Sequence, residues 1–264
     1  MTISADSQLP TPQSQSPNVA LVTGSGRRRI GSHVIEALAS RGWRVAIHYR
    51  TGTDEARQRA AAIVRQGVDA AAFGADLTDE HQVNRLVDDV VGRFGRIDAL
   101  VNCAAIWKPK PLEEVAAADV REHFEVNTLG TFLCCQRVGF VMVNQPEGGS
   151  IINIGDWAAR RPYVNYAAYF PSKGAIPALT RSMAVELATR NPKVRVNCVL
   201  PGPVMLPLDM PEVERRRATD ATLVRHAGTP GNVVQAILYL IDNDFVTGDS
   251  IAVDGGRSVW AGGL

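Results

Sequence analysis

The sequence predicts a single α/β domain, a doubly wound parallel sheet with helices on both faces. Three observations carry this. Short apolar runs recur along the chain from Asn18, and most are separated by segments long enough to hold a helix. Parallel neighbours cannot be joined by a tight hairpin, so helix-length connections imply a parallel sheet covered on both sides. The length, 264 residues with 45% apolar and 21% charged, suits one open sheet with a sizeable core.

The first strand is expected at 19–22, and the amphipathic stretch 32–41 makes it a βα unit. Further strands are expected at 44–49, 70–73, 99–102, 150–154, 195–200 and 250–253. Right-handed crossovers between them wind the sheet in both directions. No repeat or linker interrupts 18–264. Residues 1–17, rich in Ser, Gln, Pro and Thr, read as a disordered tail without the basic start and apolar run of a signal peptide. No apolar run approaches the ~20 residues needed to cross a bilayer. The net charge of +1 gives no long-range field toward nucleic acid or an anionic membrane. Cys103, Cys134, Cys135 and Cys198 lack C-x-x-C or zinc spacing and read as core residues, which fits a reducing cytoplasm.

The first βα turn is T-G-S-G-R-R-R-I-G, from Thr23 to Gly31. Glycines let such a turn close and let backbone N–H groups approach a pyrophosphate at a helix N-terminus, so the fold is Rossmann-like and binds a dinucleotide. Arg27, Arg28 and Arg29 add guanidinium groups able to pair with phosphate. The second strand ends in H-Y-R-T, His48 to Thr51. An acidic residue there would hold a ribose 2′-hydroxyl, whereas Arg50 supplies charge for a 2′-phosphate, so the cofactor is expected to be NADPH/NADP+.

Further along stand A-D-L-T (Ala75 to Thr78), N-C-A-A (Asn102 to Ala105), F-E-V-N-T with Asn127, Y-F-P-S-K with Tyr169 and Lys173, P-G at Pro201 and Gly202, and V-D-G-G (Val253 to Gly256). In order and spacing this set resembles the short-chain dehydrogenase/reductase family over the chain from Asn18 onward. The resemblance implies an NADP(H)-dependent oxidoreductase, a small-molecule substrate and a homotetramer. Cofactor contacts are implied at Gly24, Arg28, Arg29, Ile30 and Gly31, and at His48, Tyr49 and Arg50. They continue through Asp76, Leu77, Asn102, Ala104, Ala105 and Ile154 to Tyr169, Lys173, Pro201, Gly202 and Val204.

Tyr169 and Lys173 are four apart and share a helix face. A nearby ammonium is expected to lower the phenol pKa, so that Tyr169 exchanges a proton with substrate while the nicotinamide exchanges hydride. The resemblance adds a ribose contact for Lys173 and a water relay through Asn127. Pro171 is tolerable if the helix starts near Tyr169, and Pro177 is expected to bend it.

Most family members carry a serine about a dozen residues before the tyrosine, but this chain reads Ile152-Asn153-Ile154-Gly155-Asp156. An ionised carboxylate only accepts hydrogen bonds, so Asp156 argues against a plain ketone and suits the ring N–H or amino groups of a nitrogen heterocycle. Pteridine reductases carry aspartate at this position, and R-R-I-G (Arg28 to Gly31) is similar to their phosphate loop. By that resemblance Trp107 sandwiches a pterin against the nicotinamide, and Arg29 touches both phosphate and pterin. The polar, proline-rich segment 203–217 reads as a substrate lid, with Leu206, Leu208 and Met210 lining the pocket. Two alternatives stay open: a ketone, sugar or acyl carbonyl reductase with Asp156 protonated, and a catalytically weak NADPH-binding sensor or scaffold.

Overall fold

The computed structural model describes residues 17–206 and 210–260. Seven parallel strands form one sheet in the order β3-β2-β1-β4-β5-β6-β7. They are β1 (Val19–Thr23), β2 (Arg44–Tyr49), β3 (Ala70–Gly74), β4 (Ala99–Asn102), β5 (Gly149–Ile154), β6 (Val194–Pro201) and β7 (Ser250–Val253). Every expected strand is present, within one residue at either end. The chain moves outward from β1 to β3, then returns to pair β4 with β1, with Thr23 opposite Asn102. This reversal opens a crevice beyond the carboxyl ends of β1 and β4, the usual ligand position in such sheets.

Both sheet faces are apolar because both are covered. Helices α1 (Ile30–Ser40), α2 (Thr53–Arg65) and α8 (Pro230–Asp242) bury Leu38, Ile63 and Ile237 against one face. Helices α3 (Glu80–Phe94), α5 (Gly130–Val143) and α6 (Tyr169–Ala188) bury Leu86, Val138 and Leu187 against the other. Each such side chain removes water-exposed surface worth about 1.5–3 kcal/mol. Asp79 caps α3, accepting from His81 N–H at 2.9 Å and Gln82 N–H at 3.2 Å. The sequence placed the first helix at 32–41; it begins two residues earlier, directly at the phosphate loop.

Helix α4 (Ala117–His123) runs through a π-helical turn, Phe124–Leu129, into α5. The combined segment, Ala117–Val143, is long and apolar enough by composition to cross a bilayer, which the sequence reading did not anticipate. Half of its most apolar window is buried inside the protein, so core packing accounts for that apolarity. Helix α6 starts at Tyr169, placing Pro171 in its first turn as expected. Pro177 lies inside α6 without ending it and leaves the Lys173 carbonyl without its i+4 N–H donor. Cys134, Cys135 and Cys198 are buried in the core, and desolvation pushes the thiols up, to about 12 for Cys135 and about 11 for Cys198.

Candidate active site

The phosphate loop leaves β1 at Gly24, whose φ is +63°; a Cβ there would lie 2.8 Å from Ala104 Cα. Only glycine fits this left-handed, crowded position. Gly31, at the start of α1, packs against the Gly24 carbonyl and Ser25 Cα, each 3.1 Å from where a Cβ would sit. Thr23 Oγ1 accepts from Ala104 N–H at 3.1 Å and ties the ends of β1 and β4 together. Arg27 is taken by Glu55 at 3.5 Å, whereas Arg28, Arg29 and Arg50 are exposed and make no ion pair among the described residues. Arg29 is the residue from which α1 springs, and Arg28 lines the cleft between α1 and α2.

His48 corrects an expectation. Its ring is buried, with Nδ1 accepting from Gly24 N–H at 3.0 Å and Nε2–H donating to the Ala75 carbonyl at 3.0 Å. Both nitrogens serve the backbone, so the side chain latches the loop to the end of β3 and does not face a cofactor. Burial holds its pKa down at about 4, keeping the imidazole neutral. Asn102 is also a strut: its Nδ2 donates to Asn153 Oδ1 at 2.9 Å, and Asn153 Nδ2 donates to Thr180 Oγ1 at 3.0 Å, tying β4 and β5 to α6. Asp76, half-buried, caps its own turn through Thr78, while Leu77 and Val204 are buried in the core. Tyr49 packs beside Gly26 and Gly74, and Ile30 packs on the core beneath the loop. Ala105 lies just beyond β4, and Pro201 and Gly202 close β6, where a Cβ on Gly202 would come within 2.5 Å of Asp254 Cα.

At the end of β5, Gly155 leaves no room for a side chain, since a Cβ would meet Leu200 Cδ2 at 2.5 Å. Asp156 follows and caps a short 3-10 turn, Trp157–Ala159, accepting from Ala158 N–H at 2.7 Å through Oδ1. Its other oxygen, Oδ2, accepts from the Tyr169 hydroxyl at 2.7 Å. One turn along α6, Lys173 Nζ donates to the Ile154 carbonyl at 2.7 Å. The π-helical turn projects Asn127 toward this group: Oδ1 accepts from Ile106 N–H at 2.8 Å and Nδ2 donates to the Ile106 carbonyl at 3.1 Å and Ser172 Oγ at 3.0 Å. Tyr169, Lys173, Asp156 and Asn127 are thus brought to one place from β5, α6 and the π turn, all buried or nearly so.

Residues 25–258 match the family described as enoyl-(acyl carrier protein) reductase. The chain belongs to the short-chain dehydrogenase/reductase family. It is 35% identical to the short-chain reductase protein NovJ of Streptomyces niveus, over 97% of this chain and all of that one. It is 34% identical to the putative ketoacyl reductase 2 of the granaticin polyketide synthase of Streptomyces violaceoruber, over 90% of this chain and 95% of the relative. Among solved structures it resembles a blue fluorescent protein from a metagenomic library, in complex with NADPH, with a TM-score of 0.83 and 31% identity over 93% of this chain and 99% of that one.

This short-chain dehydrogenase/reductase is an oxidoreductase, and its family uses a nicotinamide cofactor. The residues fit that group: a glycine-lined loop at a helix N-terminus, with guanidinium groups left without carboxylate partners beside it. When bound, the nicotinamide supplies or accepts hydride. Here the expected lowering of the Tyr169 pKa is overturned: desolvation, the Asp156 charge and the hydrogen bond to Asp156 all raise it, in that order. Desolvation raises Asp156 as well, opposed by Ala158 N–H, Tyr169 and Lys173. Lys173, fully enclosed, is lowered by desolvation against the pull of Asp156.

Trp107 lies flat on Tyr166 at 5.0 Å between centroids and 9° between planes. One face is therefore covered, and the ring is 44% exposed. Tyr163 and Trp157 extend the same aromatic wall, 6.2 Å apart and 26° from parallel. Trp157, Tyr163, Tyr166 and His123, none singled out in the sequence, cluster around Tyr169. The buried His123 donates its Nδ1–H to the Asp119 carbonyl at 2.7 Å and sets its ring edgewise on Tyr169 at 6.1 Å. The Trp157, Tyr163, Tyr166, Tyr169 spacing was the only signal for the wall. In the segment read as a lid, Leu206 and Met210 are partly exposed, helix α7 (Glu212–Asp220) buries no residue, and Leu208 lies outside the described residues.

Proposed function

We propose that the enzyme is an NADPH-dependent reductase of a flat nitrogen heterocycle of the pterin or dihydropterin class. The observation that carries this is the hydrogen bond from Tyr169 to Asp156 Oδ2 at 2.7 Å, at the position where the family's usual neutral donor is a serine hydroxyl. A carboxylate there accepts from ring N–H or amino groups, and Tyr169 delivers a proton to the ring nitrogen that gains electron density. The wall of Trp107, Tyr166 and Tyr163 supports a planar ligand, since aromatic faces hold flat rings by offset or edge contacts. The free charge of Arg50 supports NADPH over NADH. Exposed Phe140, Val185 and Phe245 are consistent with a homotetramer, and the reading places the enzyme in the cytoplasm.

A second reading keeps the cofactor and assigns a ketone or acyl carbonyl. It is favoured by the names of relatives and by the burial that raises Asp156 toward its protonated, donating form. The deciding experiment is NADPH oxidation with dihydrobiopterin or dihydrofolate beside a panel of simple ketones, using Tyr169→Phe and Asp156→Ala as controls. Pterin turnover that needs both side chains supports the first reading; turnover of ketones alone overturns it.

A further inference from the structure

The turn after β7 brings one cation to the far end of the aromatic wall. Asp254 shapes this turn, accepting from Gly256 N–H at 2.9 Å and Ser258 N–H at 2.7 Å, and Arg257 projects from it. The guanidinium carbon of Arg257 lies 4.7 Å from the ring centre of Trp157, the residue next to Asp156. Tyr163, which stacks on Trp157, feels the negative charge of Asp156 and the positive charge of Arg257 together. Arg257 and Asp156 thus both lie close enough to Tyr163 to act on its hydroxyl, with Trp157 between their chain segments.

Among the described residues, one of its donors has a hydrogen-bond partner: Nη1 donates to the Ala218 carbonyl, near the end of α7, at 2.8 Å. No carboxylate among the described residues forms an ion pair with it, and the nearby Arg161, which donates to the Arg257 carbonyl at 3.2 Å, adds to the positive field. Half-burial makes this charge costly, and desolvation leads the forces lowering its pKa. A guanidinium laid on an indole, with its fork unmatched, is a receptor for a planar anion.

We infer that Arg257 is a specificity-determining residue that binds a carboxylate on the substrate, at the end of the planar ring system remote from the nicotinamide. This rests on the cleft beside Asp156 and Tyr169 being the substrate site. The substrate class is then an aromatic or heteroaromatic acid in place of a neutral ring. A latch holding α7 through Ala218 is the competing role, and it would weaken charged and neutral ligands alike.

The test is calorimetric titration of the NADPH-bound enzyme with 2-naphthoate and its neutral isostere 2-naphthamide, for wild type, Arg257→Met and Arg257→Lys. Wild type should prefer the acid by about tenfold or more, the range of one charge-assisted hydrogen bond. Arg257→Met should erase the preference, and Arg257→Lys should retain part of it, with NADPH affinity unchanged as a check of folding. If Arg257→Met does not fold, Arg257→Gln takes its place. Equal affinities in wild type, or a preference surviving removal of the charge, overturn the inference. Failure of dihydropterin turnover would sink the heterocycle reading alone, because the acid preference is read from binding.

Discussion

The Tyr169 hydroxyl donates to Asp156 Oδ2 over 2.7 Å, while the Lys173 ammonium faces the Ile154 carbonyl. The phenol's direct partner is therefore a carboxyl group, and burial, with that group's charge and hydrogen bond, raises the phenol's pKa. Tyr169 is built to hold its proton until substrate displaces or protonates Asp156.

Removing the hydroxyl with Tyr169→Phe should lower kcat by about 10²–10⁴ while leaving NADPH binding intact. Stopped-flow hydride transfer and cofactor fluorescence would separate the two effects. Cofactor affinity falling in parallel with kcat would show that Tyr169 mainly shapes the site.

Arg50→Glu places a carboxylate where a 2′-phosphate is expected. The ratio of kcat/KM for NADPH over NADH should fall by at least about tenfold, through lost attraction and new repulsion. An unchanged ratio would remove Arg50 from the cofactor site.

His48 gives a pH signature. Its folded pKa of about 4 lies below the ordinary value of 6.5. Its contribution is fully present above pH 6.5, and is lost as pH falls toward 4, because the unfolded chain takes up the proton first. His48→Gln should cost about 1–3 kcal/mol at pH 7.5, and the gap to wild type should shrink between pH 6.5 and 4 in urea unfolding. A gap that stays constant across this window would contradict the latch.

Gly24→Ala forces a side chain into a backbone at φ +63°, with Ala104 Cα only 2.8 Å from the new atom. Strain of about 1–3 kcal/mol should appear as a lower Tm and weaker NADPH binding together. Normal Tm and affinity would mean that the loop adapts at no cost.

The central strands were legible because they are buried on both sides and read as largely apolar runs, as in V-A-L-V-T of β1, whereas the outer strands β3 and β7 are only half-buried and were legible from their Ala- and Val-containing runs and spacing. Tyr169, Lys173 and Asp156 were legible because spacing along one helix and position at one strand end fix their meeting. The phenol's environment was not: burial and the partner charge exist only after β5 and α6 pack together. His48 looked like a strand-end polar group facing a ligand, since nothing local tells that Gly24 and Ala75 will claim its nitrogens. The π turn at Asn127 leaves no periodic trace, because it inserts one residue into an otherwise regular helix. The stacking of Trp107 on Tyr166 was not legible, because it joins segments nearly sixty residues apart.

Most of the aromatic wall, Trp157, Tyr163 and Tyr166, stands on the connection between β5 and α6, with Trp107 reaching it from the segment after β4, whereas Asp156 and Tyr169 are rooted in the sheet end and the helix itself. On the proposed function, catalyst and selector are separable modules of one chain. An exchange of residues 157–166 and of the turn after β7 would change what is admitted while leaving the proton machinery in place. Such an arrangement lets a lineage, or a protein engineer, explore new molecules without reinventing the reaction.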